Sequence, residues 1–590
     1  MNHDMADQRR ATHVTRRAAM KYDTKQTRPI HPPLRQFFVF LLAAAVLLAG
    51  CQRHATNELT RSDHTQNAPA PAQKQVAQVA AESSRPVAGT HAAGYEMGAA
   101  AKVRPRVEGE EGGFNTEGYS RIEENPFLTV ARSPLSTFSI DVDTASYSNT
   151  RRFLNAGQLP PRDAVRVEEL INYFSYDYPQ PAGPEPFSVT AEVSSCPWND
   201  AHRLVLVGLQ GRKLSREQLP PANLVFLVDV SGSMDAPTKL PLVQSSLRLL
   251  AEQLTGRDRV AVVVYAGASG LVLPSTPGDR RGEIAAAVEN LRAGGSTNGG
   301  DGIRLAYKVA RENFIQGGVN RVLLATDGDF NVGTTSEGEL IRLIEEERKS
   351  GVFLSVLGFG TGNLKDSMME KLADHGNGNY AYIDTPAEAR KVLGQQIGGT
   401  LATIAKDVKI QVEFNPRAAA GYRLIGYENR LLRDEDFNDD GKDAGEIGAG
   451  HAVTALYEVV PAGRKVPAGD VDALKYQQTP APNATADNGE LMTIKLRYKE
   501  PDGAESRLVS LSIADAAGAW QRASDNFRFA SAVAAFGLLL RDSRHKGAAN
   551  YGGVASLARS SAGADPHGHR TEFVRLVETA HTLSRQQARN

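Results

Sequence analysis

Five consecutive apolar residues, Leu224–Val228, precede a polar turn that contains glycine. A run of this length without polar alternation is typical of a strand that is buried on both faces, as in a parallel sheet. The turn carries oxygen-bearing side chains at alternate positions, namely Asp229, Ser231 and Ser233. Because ligands in open α/β sheets bind outside the carboxyl ends of the strands, this turn is a predicted binding site.

Strand-like and helix-like apolar patterns alternate from Asn223 to Ile404. After the opening strand, the predicted strands are Arg259–Ala266, Gly270–Pro274, Arg321–Thr326, Val352–Gly358 and Tyr380–Asp384. The predicted helices are Lys239–Leu254, Arg280–Leu291, Asp301–Phe314, Glu337–Ser350, Leu364–His375 and a long helix from Pro386. This order predicts an α/β domain with a doubly wound, mostly parallel, Rossmann-like sheet.

Strand-like patterns flank this domain on both sides. Two precede it and five follow it: Phe187–Ser194, Arg203–Leu209, Val408–Phe414, Tyr422–Gly426, Val453–Val460, Leu491–Tyr498 and Leu508–Ile513. We expect one β-sandwich into which the α/β domain is inserted, because insertions at loops are well tolerated. Two separate β units would give the same pattern. Amphipathic helices are predicted at Asp525–Leu540 and Glu572–Leu583, with a loop rich in glycine, serine and alanine between them.

The N-terminus has the pattern of a secretion signal. Phe37–Gly50 is a stretch of fourteen uncharged residues after a basic segment. It is too short for a comfortable transmembrane helix, which needs about 20 apolar residues, but it suits a signal-peptide core. The stretch ends in Leu-Ala-Gly-Cys51, which resembles the lipobox of bacterial lipoproteins. An uncleaved short anchor is the alternative, and translation starts at Met1 or at Met20.

The lipobox resemblance implies cleavage before Cys51 and lipid on its sulfur and new amino group. Residue 52 is Gln and not Asp, which by the Gram-negative sorting tendency favours the outer membrane, facing the periplasm. The expected organisation is a signal peptide at 1–50, a lipidated flexible tether at 51–125, an N-terminal α+β flanking domain at 126–221, the α/β domain at 222–404, and a C-terminal β-rich and helical domain at 405–590.

Composition narrows the functional classes. The formal net charge is −1, which gives no reason to expect nucleic acid as a partner. Only two cysteines are present, Cys51 and Cys196, so the chain has neither a disulfide framework nor a cysteine-based zinc site. Once Cys51 is lipidated, Cys196 is expected to be a buried, small apolar residue.

Two other segments are expected to lie beside the Asp-x-Ser-x-Ser turn in the folded chain. Thr297 lies in a glycine-rich loop between two predicted helices, and Asp327 follows the apolar strand VLLAT. All three segments fall at one end of the predicted sheet and offer two carboxylates and three hydroxyls. Mg²⁺ prefers six such oxygen ligands at about 2.0–2.1 Å. Hydroxyl ligands would leave the ion under-neutralised, with an open position for a partner's carboxylate.

Asp229, Ser231, Ser233, Thr297 and Asp327 resemble the metal-ion-dependent adhesion site of von Willebrand factor type A (VWA) domains. The resemblance implies that the two serines and Thr297 ligate the ion directly, and that the two aspartates act through water or switch with ligand state. It also implies Mg²⁺, with Mn²⁺ or Ca²⁺ as alternatives. The flanks contain the segments FSIDVDTASYSNTRRFLN, DAGEIGAGHAVTALYEV and FRFASAVAAFGLLL, and with these they further resemble bacterial lipoproteins that carry such a domain.

The predicted function is therefore that of a membrane-anchored, non-enzymatic protein that captures an acidic residue of a protein partner in the cell envelope. One alternative is a metal-assisted hydrolase or phosphatase that uses this ion or Asp141. A second alternative is a structural envelope protein in which the metal only stiffens the loops. The adhesion-type set contains no evident general base beside the metal, which disfavours the hydrolase.

Two weaker motifs complete the candidates. The sequence Asp141-Val-Asp143-Thr resembles the opening of haloacid-dehalogenase phosphatases, but no sustained buried strand precedes it, and an N-cap role for Asp143 is the expected one. The segment containing Asp436, Asn438 and Asp440 begins like a calcium loop, although Ile447 stands where the bidentate glutamate is expected. A polar turn between strands is the alternative for this segment. The sequence contains no phosphate-binding P-loop and no H-E-x-x-H zinc motif.

Overall fold

The computed structural model describes residues 116–140, 143–328, 336–469, 472, 475–476 and 481–589. The predicted signal peptide, the lipidation site Cys51 and most of the predicted tether lie outside these residues. Among the helices that the structure describes, none is long and apolar enough to cross a membrane.

Four strands and two α-helices of the described chain come before the α/β domain. The strands are β1 (Leu128–Thr129), β2 (Leu135–Ser139), β3 (Phe187–Cys196) and β4 (Asn199–Gly211), and the helices are α1 (Ala145–Asn155) and α2 (Val167–Asn172). Strand β4 is buried on both faces, because Leu204 and Leu206 face one apolar core whereas Val205 and Val207 face another. The unbroken apolar pattern of this strand follows from its central position in the molecule.

The α/β domain has the predicted doubly wound sheet. Its strands are β5 (Ala222–Asp229), β6 (Arg259–Tyr265), β7 (Ser269–Pro277), β8 (Val319–Thr326), β9 (Phe353–Phe359) and β10 (Tyr380–Ile383). They are arranged in the order β10-β9-β8-β5-β6-β7, and all neighbours are parallel except β6 and β7. Strand β5 is therefore central, and its apolar residues are buried on both faces.

Helices cover both faces of this sheet. They are α3 (Leu240–Ala251), α4 (Arg281–Glu289), α5 (Gly299–Glu312), α6 (Glu337–Glu347), α7 (Asp366–His375), α8 (Pro386–Arg390) and α9 (Ile397–Leu401). Leu224 and Phe226 pack with α3 and α4 on one face, whereas Val225 and Leu227 pack with α5, α6 and α7 on the other. The two separate cores explain why β5 has apolar residues at successive positions.

The prediction of one long helix from Pro386 is wrong. The chain forms α8, a π-helical turn at Lys391–Gln395, and then α9. Gly394, Gly398 and Gly399 fall in this stretch, and each glycine costs about 1 kcal/mol relative to alanine in a helix interior. The apolar periodicity persists through the stretch, but the backbone does not keep one helical geometry.

The strands after the α/β domain pair with strands that precede it. They are β11 (Thr403–Phe414), β12 (Ala419–Ile425), β13 (Gly445–Gly448), β14 (Ala452–Pro461), β15 (Glu490–Lys499) and β16 (Ser506–Ala514). One sheet has the order β1-β12-β14-β4-β3, and the other has the order β13-β11-β15-β16 with β2 paired to β11. Both sheets contribute to one apolar core, so the strands form a single sandwich into which the α/β domain is inserted.

Three helices close the chain, and they cover the outer face of the first sheet. They are α10 (Asp525–Leu540), α11 (Tyr551–Ser560) and α12 (His569–Gln587). Their buried residues form one core with α1, α2 and the outward-facing Leu204, Leu206 and Leu456. Helix α11 lies where a loop was predicted. Its first turn is capped by Asn550, whose side-chain oxygen accepts the N–H of Gly553 at 2.9 Å.

Residues 116–125, which the sequence predicted as the end of the tether, belong to the folded part. The Thr116 N–H donates to the Gly362 carbonyl at 2.7 Å, and the Gly118 N–H donates to the Leu364 carbonyl at 2.9 Å. Further along, the Asn125 amide donates to the carbonyls of Leu424 and Gly426. These bonds place the start of the folded chain earlier than the predicted boundary at 125.

Buried arginines join the α/β domain to its flanks. The Arg151 side chain of α1 is 3% exposed and pairs with Asp384, with Glu388 at 2.7 Å and with Glu572 at 3.2 Å. Asp384 and Glu388 belong to the α/β domain, whereas Glu572 belongs to α12. Burial raises the pKa of Asp384, and the Arg151 hydrogen bond and charge oppose that rise. A single guanidinium thus links three parts of the fold.

We expect Arg151→Met to lower the free energy of unfolding by about 3–5 kcal/mol, because it leaves buried carboxylates without their cation. The measurement is denaturant unfolding followed by near-UV circular dichroism. The matched control is Arg162→Met, since the Arg162 side chain is 67% exposed and pairs with a half-exposed Asp542. The control is expected to cost less than about 1 kcal/mol. Equal losses in the two variants would contradict the role assigned to Arg151.

Candidate metal-binding site

The carboxylate of Asp229 is fixed by three donors at the end of β5. Its Oδ1 accepts the Ser231 N–H at 2.9 Å, and its Oδ2 accepts the hydroxyls of Tyr265 and Thr326, each at 3.2 Å. Tyr265 and Thr326 are the last residues of β6 and β8, the two strands that flank β5. The carboxyl ends of three adjacent parallel strands therefore hold one buried carboxylate in a single orientation.

Asp327 follows Thr326 directly, and its carboxylate is also buried. Its Oδ2 accepts the Lys239 ammonium at 2.8 Å and the Asn363 amide at 3.0 Å. Lys239 also donates to the Asn363 side-chain oxygen at 3.2 Å, so the three groups form a closed triangle. Asp327 is thus held by a cation from the segment before α3 and by an amide from the loop before α7.

The two carboxylates differ in their electrostatics. Burial raises the pKa of Asp229 to about 6, and the neighbouring Asp327 adds to this rise, whereas hydrogen bonds from Ser231 and Thr326 oppose it. Burial also acts to raise the pKa of Asp327, but the hydrogen bond and charge of Lys239 bring it below its usual range. The pKa values of the two neighbouring carboxyl groups thus shift in opposite directions, because Lys239 contacts Asp327.

The serine hydroxyls lie beside these carboxylates on a tight turn. Ser231 Oγ and Ser233 Oγ are 3.1 Å apart, and Ser233 also hydrogen-bonds to Asp327. The turn continues as a short 3₁₀ helix, Gly232–Asp235. Ser231 is buried whereas Ser233 is exposed, so the hydroxyl pair extends from the buried carboxylates towards solvent.

The loop that carries Thr297 is fastened to the serine turn. The Gly294 N–H donates to the Val230 carbonyl at 2.8 Å, and the Gly232 N–H donates to the Gly295 carbonyl at 3.0 Å. Gly295 has a φ of +83°, a conformation that favours glycine and lets the loop turn back at this point. Thr297 is half-buried, two residues beyond Gly295 and just before Asn298, the N-cap of α5.

The structure thus brings together the segments that carry all five predicted site residues. It also adds four residues that the sequence analysis missed: Tyr265, Thr326, Lys239 and Asn363. The first two could have been found from the sheet, since each ends a strand next to β5. Lys239 and Asn363 carry no comparable signal, because their positions depend on how the segments before α3 and α7 return to the sheet edge.

The donor chemistry of the site fits a hard divalent cation. Asp229, Ser231, Ser233, Thr297 and Asp327 offer only oxygen atoms, the ligands that Mg²⁺, Mn²⁺ and Ca²⁺ prefer. No cluster of three or more His, Cys, Asp or Glu side chains suited to a metal occurs among the described residues. A cation at this sheet edge would therefore depend on the serine and threonine hydroxyls.

The weak calcium-loop candidate is surrounded by cationic side chains. The Asp436 carboxylate accepts the Arg433 guanidinium at 2.8 Å and the Arg433 N–H at 3.1 Å. Lys499 donates to the Asp440 carbonyl at 2.6 Å, and Lys409 donates to the Asp436 carbonyl at 3.1 Å. Calcium at Asp436, Asn438 and Asp440 stays a prediction, and arginine and lysine side chains already contact several oxygen atoms of this segment.

The phosphatase-like motif is only partly described, because Asp141 lies outside the described residues. The prediction that Asp143 caps α1 is wrong. Thr144 occupies the N-cap position, whereas the Asp143 carboxylate accepts the Tyr380 N–H at 2.8 Å and the Arg430 guanidinium at 3.4 Å. Asp143 therefore joins the segment before α1 to β10, since a carboxylate that faces another domain does not reach its own helix terminus.

Family models match three successive parts of the chain. A model described as von Willebrand factor matches residues 113–206, and a model of the von Willebrand factor type A domain matches residues 223–395. A third, described as the C-terminal part of the uncharacterized protein YfbK, matches residues 399–583. Together with the doubly wound sheet and the polar residues at its carboxyl edge, these matches define a protein that contains a VWA domain.

One relative resembles the chain over most of its length. The uncharacterized protein YfbK of Escherichia coli (strain K12) is 46% identical over 472 residues, which cover 79% of this chain and 81% of that protein. The chain belongs to the YfbK family. Human inter-alpha-trypsin inhibitor heavy chain H3 is 28% identical over 264 residues, which cover 40% of this chain and 28% of that protein.

Two solved structures are similar to parts of this chain at low sequence identity. The von Willebrand factor type A protein from Catenulispora acidiphila is 17% identical, with a TM-score of 0.37 over 66% of this chain and 89% of that chain. The ArnB paralog VWA2 from Sulfolobus acidocaldarius is 13% identical, with a TM-score of 0.33 over 68% of this chain and 98% of that chain. VWA domains are typically non-enzymatic modules of protein interaction, and many bind a metal at this edge of the sheet.

We expect Lys239→Met to lower the free energy of unfolding in EDTA by about 3–5 kcal/mol, because Asp327 loses the cation that contacts it while both carboxylates stay buried. Denaturant unfolding at fixed ionic strength measures the loss. The matched control is Lys308→Met on α5. The Lys308 side chain is 63% exposed, and its ammonium comes no closer than 3.9 Å to its partner Glu312, so this pair is weak. A cost for Lys239→Met as small as that of the control would show that Lys239 does not stabilise Asp327.

Proposed function

We propose that this chain is a membrane-anchored binding protein whose VWA site holds Mg²⁺ and captures an acidic side chain of a protein partner in the cell envelope. The observation that carries the proposal is the convergence of two buried carboxylates, a pair of serine hydroxyls and the Thr297 loop at one sheet edge. Mn²⁺ and Ca²⁺ are alternative ions, because they accept the same oxygen ligands.

The chain's own residues have distinct parts in this function. Ser231, Ser233 and Thr297 would hold the ion, and the ion would supply a positive centre for an incoming carboxylate. Asp229 and Asp327 would supply negative charge around the ion, in orientations fixed by neighbouring strands and by Lys239. Because Lys239 already neutralises part of this charge, the ion would keep a net attraction for an acidic partner.

The exposure of the site supports capture of a macromolecule. Ser233 and the neighbouring Gly294 and Gly295 are exposed, so the outer hydroxyl of the pair lies at a surface rather than in a deep pocket. A surface site suits a carboxylate that projects from a folded partner. The proposed lipid at Cys51 and the tether that follows it would let this surface search the space near the membrane.

We expect Mg²⁺ to raise the melting temperature of the full chain relative to EDTA, since a ligand at about 100 times its Kd adds about 2.7 kcal/mol to the free energy of unfolding. Ser231→Ala/Ser233→Ala should abolish this increase and leave the fold intact by circular dichroism. Lys239→Met should show a larger increase than the unaltered chain, because the ion then meets uncompensated carboxylates. The control is Thr579→Ala/Thr582→Ala, which removes two hydroxyls from the exposed side of α12.

The same proteins test capture. Immobilised full chain should retain envelope proteins in Mg²⁺ and release them in EDTA, and the double serine variant should retain none of them. Replacement of the contacting Asp or Glu of a captured partner by its amide should then abolish retention. If the double serine variant captured the same partners in EDTA, the proposal would be wrong. A Mg²⁺-dependent melting temperature without Mg²⁺-dependent capture would favour the purely structural role.

The anchor is tested with the two cysteines of the chain. In a Gram-negative host, the precursor with Cys51→Ser should incorporate no labelled palmitate and should leave the membrane fraction. Cys196→Ala is the control, because Cys196 is buried at the end of β3 and should not affect lipidation. Recovery of the Cys51→Ser protein in the outer-membrane fraction would overturn the proposed anchor.

A further inference from the structure

A cavity of about 590 Å³ lies at the opposite end of the α/β sheet from the candidate metal site. It is lined by Ala222 and Val319, which begin β5 and β8, and by parts of the sandwich and the segment before α12. Since β5 has eight residues, its two ends are about 23 Å apart. The volume is in the range of ligand sites, which is about 300–1,000 Å³.

The π-helical turn Lys391–Gln395 forms one wall of this cavity. A π-helical turn is rare, and it appears mostly as a single turn within an α-helix, frequently at a functional site. Here the turn carries Lys391 as its first residue. The π-helical turn thus places Lys391 at the wall of the cavity.

Lys391 is buried without a full set of partners. The residue is 3% exposed, and its Nζ has no hydrogen-bond partner within the described part of the chain. The ammonium lies 3.1 Å from the centre of the Tyr173 ring, and its nearest paired carboxylate, Glu388, is 3.9 Å away. Burial lowers the pKa of Lys391 to about 8, although Glu388 opposes the change. A buried ammonium without a hydrogen-bond acceptor is costly, and an oxygen of a bound anion would accept the missing hydrogen bond.

Two histidines of the same cavity also have ring nitrogens without partners among the described residues. They are Nδ1 of His451 and Nε2 of His569. Burial lowers the pKa of His451 to about 4, with a further contribution from Lys391, and burial and Lys391 also lower the pKa of His569. Both rings are therefore neutral near pH 7, and each can donate a hydrogen bond from its protonated nitrogen to an oxygen of a ligand.

The charges that line the cavity favour an anion. The basic side chains outnumber the acidic ones by five to two: Lys213, Arg216, Arg257, Lys391 and Arg570 against Asp258 and Asp565. Both carboxylates are already occupied by the protein. Asp258 accepts the N–H groups of Ala222 and Thr255, and Asp565 accepts two N–H groups from the first turn of α12.

We propose that this cavity binds a small organic anion whose carboxylate or phosphate group accepts hydrogen bonds from Lys391, His451 and His569. The remaining part of the ligand would face Tyr173, Leu254 and Ile397, which give the cavity an apolar wall. This site lies apart from the VWA metal site, and its ligand would carry negative rather than positive charge. Its test therefore does not depend on the outcome for Mg²⁺.

Isothermal titration of the full chain in EDTA with succinate and with glycerol 3-phosphate tests the proposal and separates the two anionic groups. At least one of the two is expected to bind in the millimolar range or more tightly. Lys391→Met should weaken that binding at least tenfold, and His451→Gln/His569→Gln should weaken it to a smaller extent. Lys308→Met on the exposed face of α5 should bind as the unaltered chain does.

A stability measurement distinguishes loss of the site from loss of the fold. Without ligand, Lys391→Met should keep the near-UV circular dichroism spectrum of the unaltered chain, because Arg151 still contacts Glu388 after the ammonium is removed. The bound anion should raise the melting temperature of the unaltered chain and not that of Lys391→Met. The proposal is overturned if neither anion binds the unaltered chain at millimolar concentration, or if Lys391→Met binds as tightly as the unaltered chain.

Discussion

Buried ion pairs between arginines and carboxylates hold the inserted VWA domain against the rest of the chain. Arg151 joins α1 to Asp384 and Glu388, and Arg166 joins the segment before α2 to Asp366 and Glu370. Arg430, from the loop after β12, contacts Asp143, Glu370 and Asp374. Because the loss of one partner leaves a buried charge uncompensated, each cluster resists separation of the domains. The VWA domain is therefore presented as a fixed part of the molecule.

This arrangement extends to the candidate metal site through the loop before α7. Asn363 contacts Asp327 and Lys239, while its neighbours Gly362 and Leu364 accept backbone hydrogen bonds from Thr116 and Gly118. Glu117 accepts the Gly362 N–H at 2.9 Å and pairs with Arg152 of α1. A movement of Asn363 that altered the contacts of Asp327 would have to break these bonds. The chain that leads from the proposed anchor thus enters the fold beside the site.

The sequence predicted those features that depend on local periodicity or on spacing within one sheet. The apolar residues of β5 and β8 are buried on both faces, which is the pattern that identified them. The pairing of the later strands with the earlier ones was predicted only as one of two arrangements, because two separate β units would give the same pattern. The serine turn was recognisable because its chemistry lies within five residues, Asp229–Ser233.

Other features depend on tertiary contacts that no local pattern encodes. Helix α11 contains Gly552 and Gly553, which disfavour a helix, and it forms because Val554, Leu557 and Ala558 pack against α10 and α12. The contact of Lys239 with Asn363 joins residues 124 positions apart, and that of Arg151 with Glu572 joins residues 421 positions apart. Neither pair could be identified without the fold that brings its members together.

The two ends of the VWA sheet both contain buried polar groups that the described residues leave incompletely satisfied. At the carboxyl end, two buried carboxylates, Asp229 and Asp327, lie close together, and Lys239 is the ammonium that contacts the second. At the amino end, Lys391 is buried without a hydrogen bond in the described chain, beside two neutral histidines. Natural interiors compensate their charges and satisfy their hydrogen-bonding groups, and stability alone would select against both arrangements. A cation at one end would compensate the two carboxylates, and an anion at the other would accept the hydrogen bonds that Lys391 and the histidines do not make, which is the physical reason to regard both ends as binding sites.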